Sequence, residues 1–480
     1  MSVSTNFRYV ALADEIQDNI SKGVFTSGER LPSLRKLHNQ LGLSVSTIHQ
    51  AYIELEKRGR IEAREKSGFY VKALQNNPLR TPAPKKLVTK PCRVLINDLA
   101  DNIISDFQQD DKLQLGAAIA SKELMPLKQL SRIIKSMPAD ELQHYMSNYD
   151  LSAGSLELRE ELSKRMLGLA CSISSKDIIT TNGCLDAVAL CLRAVANPGD
   201  TILVESPVFH CFLQLIEDLN FYVLEIPGCS EKGMNPEAFE KAIISNKIKA
   251  CLLNSNFQNP LGSVLSKESK IAILHVAGKH NIPIIEDDIY GDLFFEGKRP
   301  VTFKSLDRKG MVLYCSSFSK TLAPGFRTGW AIPGIYKERV MRMKLNTVIS
   351  NSGINQAVIA KFIKTGAFDR HLRQLRNKIK NQTSAIAIAV SKYFPDDTQI
   401  SFPRGGMFIW VVLNNKINSM EVYQKAYQKN ISILPGIICS SSDRYKNCLR
   451  INCGIKWSQH LENGIKTLGQ IVKNLSFQLN

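Results

Sequence analysis

Apolar residues recur at helical spacing near the start of the chain, where Tyr9, Ala13, Ile16 and Ile20 share one face and predict a first helix. Gly23 ends that pattern and Gly28 marks a turn. Ser33 is the capping type for a second helix with an apolar stripe of Leu34, Leu37 and Leu41, stopped by Gly42. Ser44 caps a third, in which Ile48, Ala51, Tyr52 and Leu55 lie on one side and Gly59 closes the last turn. The period then changes, and Ile61 to Val71 reads as two short strands around a Lys66-Ser67-Gly68 turn. Three helices, a short turn between the second and third, and a β-hairpin predict a winged helix-turn-helix over residues 1–72.

Residues 73–96 break the pattern. Positions 73–93 carry four prolines, five Lys or Arg and no periodicity, the composition of a linker. From residue 97 apolar runs such as DIITTN, TILVESP, KACLLNSN, IPIIEDD and MVLYCSS alternate with helical patterns. That alternation predicts an α/β domain with a mostly parallel sheet over 97–480. Beyond about 335, long helices precede SFPRGGMFIWVVL, which predicts a smaller α+β part. The expected division is a large subdomain at about 155–335 and a small one from about 97–154 and 336–480.

A chain of 480 residues exceeds one ordinary core, so two or three domains are expected. The net charge of +18 is unevenly spread. Residues 1–95 hold 16 Lys and Arg against 8 Asp and Glu, and the rest hold 46 against 36. The N-terminal fifth is therefore the denser in positive charge, as a domain facing phosphate backbones is. Eleven scattered cysteines form no CxxC pair and no zinc-ligand spacing with the eight histidines, so no metal is expected. Acidic residues Asp14, Glu15 and Asp18 interrupt the N-terminus, and no apolar run approaches the ~20 residues of a membrane span. The expected location is cytoplasmic, with reduced thiols.

The third helix of a helix-turn-helix enters the major groove by its first turn. Here that turn offers Ser44, Ser46, Thr47 and His49, all able to hydrogen-bond phosphate or base edges. Arg30 and Arg35 flank the second helix, and Arg64, Lys66 and Gly68 fall in the wing. Duplex DNA is the partner this half implies.

The second half carries a different chemistry. In YCSSFSKTLAPGFRTGW, Lys320 follows a strand bearing Ser317 and sits beside Ser319, with Arg327 seven residues on. Asn182-Gly183-Cys184-Leu185 opens a helix after DIITT, so its backbone N–H groups can hold a phosphate. Phe209 follows TILVESP, Asn259 lies in NFQNPLG, Asp287 and Tyr290 end IPIIEDD, and Arg450 stands in CLRINCGI. Singly these are a turn glycine, a core aromatic, a turn amide and a strand-end carboxylate. Together they supply what pyridoxal 5′-phosphate demands: an amine for its aldehyde, donors for its phosphate and a carboxylate for its ring nitrogen. They add a donor for the phenolic oxygen and a flat side chain against the ring.

The stretch RLPSLRKLHNQLGLSVSTIHQAYIELEKRGRIEAREKSGFYV resembles the GntR-type winged helix. It departs at Val45, where many members carry a basic residue. Residues 97–480 resemble a fold type I aminotransferase domain, and the whole chain resembles the MocR-like branch of GntR regulators. The resemblance implies Lys320 as the Schiff-base lysine, Asp287 on the pyridine nitrogen, and Asn259 with Tyr290 on the phenolic oxygen. It implies phosphate ligands in the backbone from Gly183 through Cys184 and Leu185, with Ser317, Ser319 and Arg327. Tyr149, in NYDLSAGSLELR, would reach the phosphate of the neighbouring subunit of a homodimer, and Arg450 would grip an effector's carboxylate. Small hydroxyl residues are more usual at Cys184, and glycine at or near Ile289. The expected protein is a DNA-binding transcription regulator that senses an amino compound or the cofactor itself. An active aminotransferase with an accessory DNA-binding domain is the alternative. A purely structural dimeriser has no need of Lys320 and its ligand set.

Overall fold

A computed structural model describes residues 8–21, 24–25, 29–64, 68–71, 82, 90–105, 112–150 and 153–478, and the chain divides into two compact units at Leu79/Arg80. Lys66 and most of the expected linker lie outside the described residues.

The first unit contains α1 (Arg8–Ser21), α2 (Leu34–Leu41), α3 (Val45–Lys57) and the antiparallel pair β1 (Ile61–Arg64) and β2 (Gly68–Val71). Its helix starts follow the sequence. The Ser33 hydroxyl accepts from Lys36 N, the Ser44 hydroxyl accepts from Thr47 N, and Gly42 ends α2 at φ 66°. Side-chain capping of this kind stabilises a helix by about 1 kcal/mol. Leu12, Ala13, Ile16, Ile48, Ala51, Tyr52 and Leu55 form the core. The expected buried stripe of α2 is corrected: Leu34 and Leu37 are only half-buried and Leu41 is 45 % exposed. An eight-residue helix at the rim has too short a face to bury. Tyr52 donates to Pro32 O at 2.8 Å and meets Phe69 edge-on at 4.9 Å, so one side chain ties α3 to the turn and the wing.

The second unit is built on β3 (Cys92–Arg93), β4 (Leu113–Gln114), β5 (Ile179–Thr181), β6 (Thr201–Ser206), β7 (Tyr222–Cys229), β8 (Gly233–Met234) and β9 (Ile248–Leu253). It continues through β10 (Ile284–Asp287), β11 (Val312–Ser317), β12 (Gly329–Ile332), β13 (Gln399–Ile400), β14 (Phe408–Val412), β15 (Ile431–Ser432), β16 (Leu434–Pro435) and β17 (Cys448–Asn452). The main sheet runs β3-β7-β6-β9-β10-β11-β12-β5, parallel from β7 to β11 and antiparallel at both flanks. Both faces are apolar because alternate residues serve different layers. Ile202, Val204, Ile285 and Leu313 pack on the helix Cys184–Val195, whereas Leu203, Ile284 and Val312 pack on Pro236–Ser245 and Lys267–Lys279. Burial on two faces is what a parallel sheet requires. A second sheet, β13-β14-β17-β16, is antiparallel, and β15 pairs with β4.

Two expected boundaries move. The end of the expected linker is structured: Cys92 and Arg93 pair with Val223 and Tyr222, while Val94 and Ile96 are buried in the main core. The helix Asn97–Ser105 follows them through Ala100, and Lys337–Thr347 enters the same core through Val340. Both helices therefore pack with the large part, not the small one. A two-residue edge strand has no period to read, and a helix anchored by few apolar residues reads as polar. Among the described residues no helix is long and apolar enough to cross a membrane, and no cluster of three or more His, Cys, Asp or Glu side chains is placed to hold a metal.

Candidate functional site

In the second unit the predicted residues converge at the carboxyl ends of β5, β6, β9, β10 and β11, the usual place for a ligand on such a sheet. Asp287 is the last residue of β10 and is buried. Its carboxylate accepts from Cys184 Sγ at 3.1 Å, Asn254 Nδ2 at 3.1 Å and Ile289 N at 3.1 Å. Burial pushes its pKa up to about 6 while those three donors pull it back, so it is mostly ionised at neutral pH. Sequence reasoning missed Asn254; its signal was the NSN triplet just after β9, unreadable without the β9–β10 pairing.

Lys320 projects from the loop after β11, half-buried, and donates to Ala118 O at 2.6 Å. Burial, and next the Arg450 guanidinium, push its ammonium down to about 8. The free amine is therefore about a tenth of the population at pH 7, against less than a thousandth for an ordinary lysine.

Arg450 lies on β17 and is 1 % exposed. Its fork donates to Asn259 Oδ1 at 2.8 Å and Gly116 O at 2.6 Å, and the guanidinium lies over the Phe408 ring at 4.5 Å. Among the described residues no carboxylate pairs with it. By engaging Oδ1, Arg450 fixes the amide of Asn259 and leaves its buried Nδ2 without an acceptor. Tyr290 is buried edge-on to Phe408 at 5.4 Å, and burial holds its phenol protonated well above the ordinary range. Phe209 caps the helix His210–Asp218 and packs on the main core. Beside it His210 is buried with Nδ1 unpartnered, kept neutral by burial and by Arg450 and Lys320. The sequence reading passed over His210 because a lone histidine after an aromatic carries no pattern.

The phosphate candidates assemble around Gly183, which precedes the helix Cys184–Val195 at φ 90° and ψ 177°. Arg327 Nη2 donates to Asn182 O at 2.9 Å, and a Cβ on Gly183 would lie 2.5 Å from that nitrogen. Ser319 N donates to Ser317 Oγ at 3.3 Å, and Arg327 Nη1 reaches Ser319 Oγ at 3.4 Å. Arg327 itself holds a left-handed φ of 49°, the kind of strain that clusters at ligand sites. Cys184 points its thiol at Asp287 rather than into the cradle, so it contributes there through its backbone. Leu185 is exposed in the same first turn, whose N–H groups have no intrahelical acceptor. Tyr149 is 74 % exposed in the isolated chain.

These residues fit pyridoxal phosphate. A buried carboxylate, an orphaned amide donor, a phenol, a depressed lysine and a positive cradle that excludes any side chain at Gly183 match what the cofactor demands.

In the first unit Ser46 and His49 are exposed at the start of α3, and Thr47 is half-buried. The Ser44 hydroxyl is engaged with Thr47 N, Thr47 Oγ1 and Ser46 Oγ, so it acts as the cap of the turn. Arg35 is exposed on α2. Arg30 belongs to the wing: it bridges to Tyr70, and its guanidinium lies against Gly68, 3.3 Å from where a Cβ would stand. Arg64 pairs with Gly68 through the backbone.

Fold and site together define a class: a fold type I aminotransferase-type domain, with pyridoxal 5′-phosphate as its cofactor, joined to a winged helix. The family model for aminotransferase class I and II matches residues 112–467, and that for bacterial regulatory proteins of the gntR family matches residues 8–71. The chain belongs to the GntR family of DNA-binding transcription regulators, in the branch with MocR architecture. It is 35 % identical to the HTH-type transcriptional regulator YjiR of Escherichia coli K12, over 97 % of this chain and 98 % of that one. With YdcR of the same organism it shares 32 % identity over 97 % and 99 %. The multiple substrate aminotransferase of Thermococcus profundus superposes with a TM-score of 0.73 at 26 % identity, covering 79 % of this chain and 95 % of that one.

Proposed function

We propose that the second domain senses an amino compound bearing a carboxylate and that its occupancy sets how the winged helices bind DNA. The observation that carries this reading is Arg450: a nearly inaccessible guanidinium beside Lys320 with no acid partner among the described residues. A buried cation is expensive to keep unpaired. A bidentate carboxylate is what its geometry lacks.

When bound, pyridoxal phosphate supplies an aldehyde that condenses with amines and a ring that withdraws electrons. Asp287 would hold the proton of the ring nitrogen in place. Asn259 Nδ2 and Tyr290 would serve the phenolic oxygen, and Phe209 would lie against the ring. Lys320, whose ammonium gives up its proton readily, would supply the amine for the aldehyde. The backbone of Gly183, Cys184 and Leu185 would hold the phosphate with Ser317, Ser319 and Arg327. Tyr149, 74 % exposed in one chain, completes the partner's site in a homodimer. On the DNA side Ser46, Thr47 and His49 read bases, with Arg30, Arg35, Arg64, Lys66 and Gly68 along the backbone.

The test titrates cofactor-loaded protein with a panel of amino acids while following visible absorbance and operator binding together. A responding amino acid shifts both, and Arg450→Ala loses the DNA response while keeping cofactor and effector-free DNA binding. Absorbance that cycles with turnover while DNA affinity stays constant would mean an aminotransferase with an accessory domain.

A further inference from the structure

Away from the cofactor site, at the opposite ends of β10 and β11, the second unit holds a cavity of about 310 Å³. That lies within the range of small-molecule sites, about 300–1,000 Å³. Its walls are apolar and come from separate elements: Leu274 of the helix Lys267–Lys279, Ile282 before β10, Leu306 of the helix Phe303–Leu306, and Met311 before β11. The floor is rigid. Asp307 accepts from the backbone N–H groups of Lys309, Gly310, Met311 and Val312 and from Lys304 Nζ, so its charge is consumed by the turn it organises. One side is closed by Lys309, whose Nζ donates to Gly278 O at 2.9 Å.

The rim has the opposite character. His275 and Arg308 line the mouth and are exposed, and among the described residues no carboxylate pairs with either. Lys309 adds a third basic group. The cavity therefore offers dispersion and desolvation in depth and positive charge at its edge, with its single acid already spent. A neutral apolar molecule leaves the rim unused, and a bare phosphate leaves the walls unused.

We infer that this cavity is a second ligand site, separate from the cofactor's, for an amphipathic monoanion: an apolar body between Leu274, Ile282, Leu306 and Met311, and a carboxylate on Arg308 and His275. Its ligand sits three residues from Asp287 along β10, roughly 10 Å at the rise of a strand. The assignment stands on the cavity's own walls and does not depend on what binds at Lys320.

The test is a calorimetric titration of full-length, cofactor-loaded protein with octanoate, and separately with 1-octanol. Octanoate binds saturably at one site per chain with Kd below about 1 mM, and 1-octanol binds about tenfold more weakly. Arg308→Ala, at an exposed position that leaves the fold alone, brings octanoate down to the alcohol's affinity. Leu274→Trp fills the cavity and abolishes binding of both; if that variant does not fold, Arg308→Ala and the alcohol decide. Arg450→Ala leaves octanoate binding unchanged. The inference is overturned if octanoate does not saturate, if Arg308→Ala binds it as tightly as the parent protein, or if Arg450→Ala is the variant that loses it.

Discussion

Replacing Gly183 by alanine separates backbone strain from the phosphate cradle. At φ 90° and ψ 177° an L-residue sits where essentially only glycine is found, a strain of about 1–3 kcal/mol. The new Cβ would also stand 2.5 Å from Arg327 Nη2, so the guanidinium must leave its place against Asn182 O and Ser319. A charge-assisted hydrogen bond is worth about 1.5–3 kcal/mol. Losing one to the cofactor's phosphate weakens binding about 10- to 100-fold. Gly199→Ala is the control, because Gly199 has φ 91° and nothing within 4 Å of where its methyl would stand. The assay strips both variants of cofactor, titrates pyridoxal phosphate back by visible absorbance, and records thermal unfolding. Both variants lose stability, and Gly183→Ala alone loses cofactor affinity. Equal cofactor affinity in the two would refute the cradle.

Further outcomes are expected at Lys320, on DNA and in assembly. The rate at which added pyridoxal phosphate is captured rises with pH up to about 8 and then levels, because Lys320 has a pKa depressed to about 8 and must lose its proton first. The same depression means the folded chain binds fewer protons than the unfolded one between about 8 and 10.5. Cofactor-free protein therefore gains stability as pH rises through that window. Lys270 and Lys344, which burial also depresses to about 8, share in that gain. Lys320→Ala thus abolishes capture and the visible band but only reduces the gain. On DNA, Arg35→Ala weakens binding to all duplexes and lowers the salt slope by about 1, while Thr47→Ala changes sequence preference; equal behaviour of the two in a binding-site selection would count against the groove assignment. In sedimentation the cofactor-loaded protein runs as a dimer at micromolar concentration, and Tyr149→Phe weakens cofactor binding without dissociating it; a fully loaded monomer sinks the shared site.

What could be read from sequence was whatever is local. Ser33, Ser44 and Gly42 mark helix ends because capping depends on neighbours within three or four residues. The runs TILVES and VLYCSS are β6 and β11 because buried parallel strands are continuous apolar runs. What escaped depends on partners far along the chain. Cys92 and Arg93 are a strand only because β7 lies beside them, about 130 residues on. Asn254 matters because β9 pairs with β10, and the exposure of Leu41 follows from where α2 lies on its neighbours. Arg30 reads as the start of α2 but belongs to the wing, since Tyr70 is its partner across a gap no window spans.

The contacts around Lys320 and Arg450 also bear on how occupancy is transmitted. Lys320 Nζ donates to Ala118 O, and Arg450 Nη2 donates to Gly116 O, so both ends of the site hold one short stretch of main chain. A carboxylate would compete for the Arg450 donor, while the cofactor's aldehyde would take Lys320 from Ala118. That stretch is otherwise tied to the small part: Gly116 N donates to Ser432 O, Asn452 N to Leu115 O, and Asn452 Nδ2 to Ile119 O. Removing the two bonds from Lys320 and Arg450 frees it from the cofactor side while leaving it attached to β15 and β17. Each bond to a charged donor contributes about 1.5–3 kcal/mol, and allosteric coupling typically needs about 1–3 kcal/mol. The bonds at stake are therefore large enough to bias one arrangement of the two parts over another. The cofactor's aldehyde, in taking Lys320, would release Ala118, and a carboxylate on Arg450 would release Gly116, so the full bias requires both events.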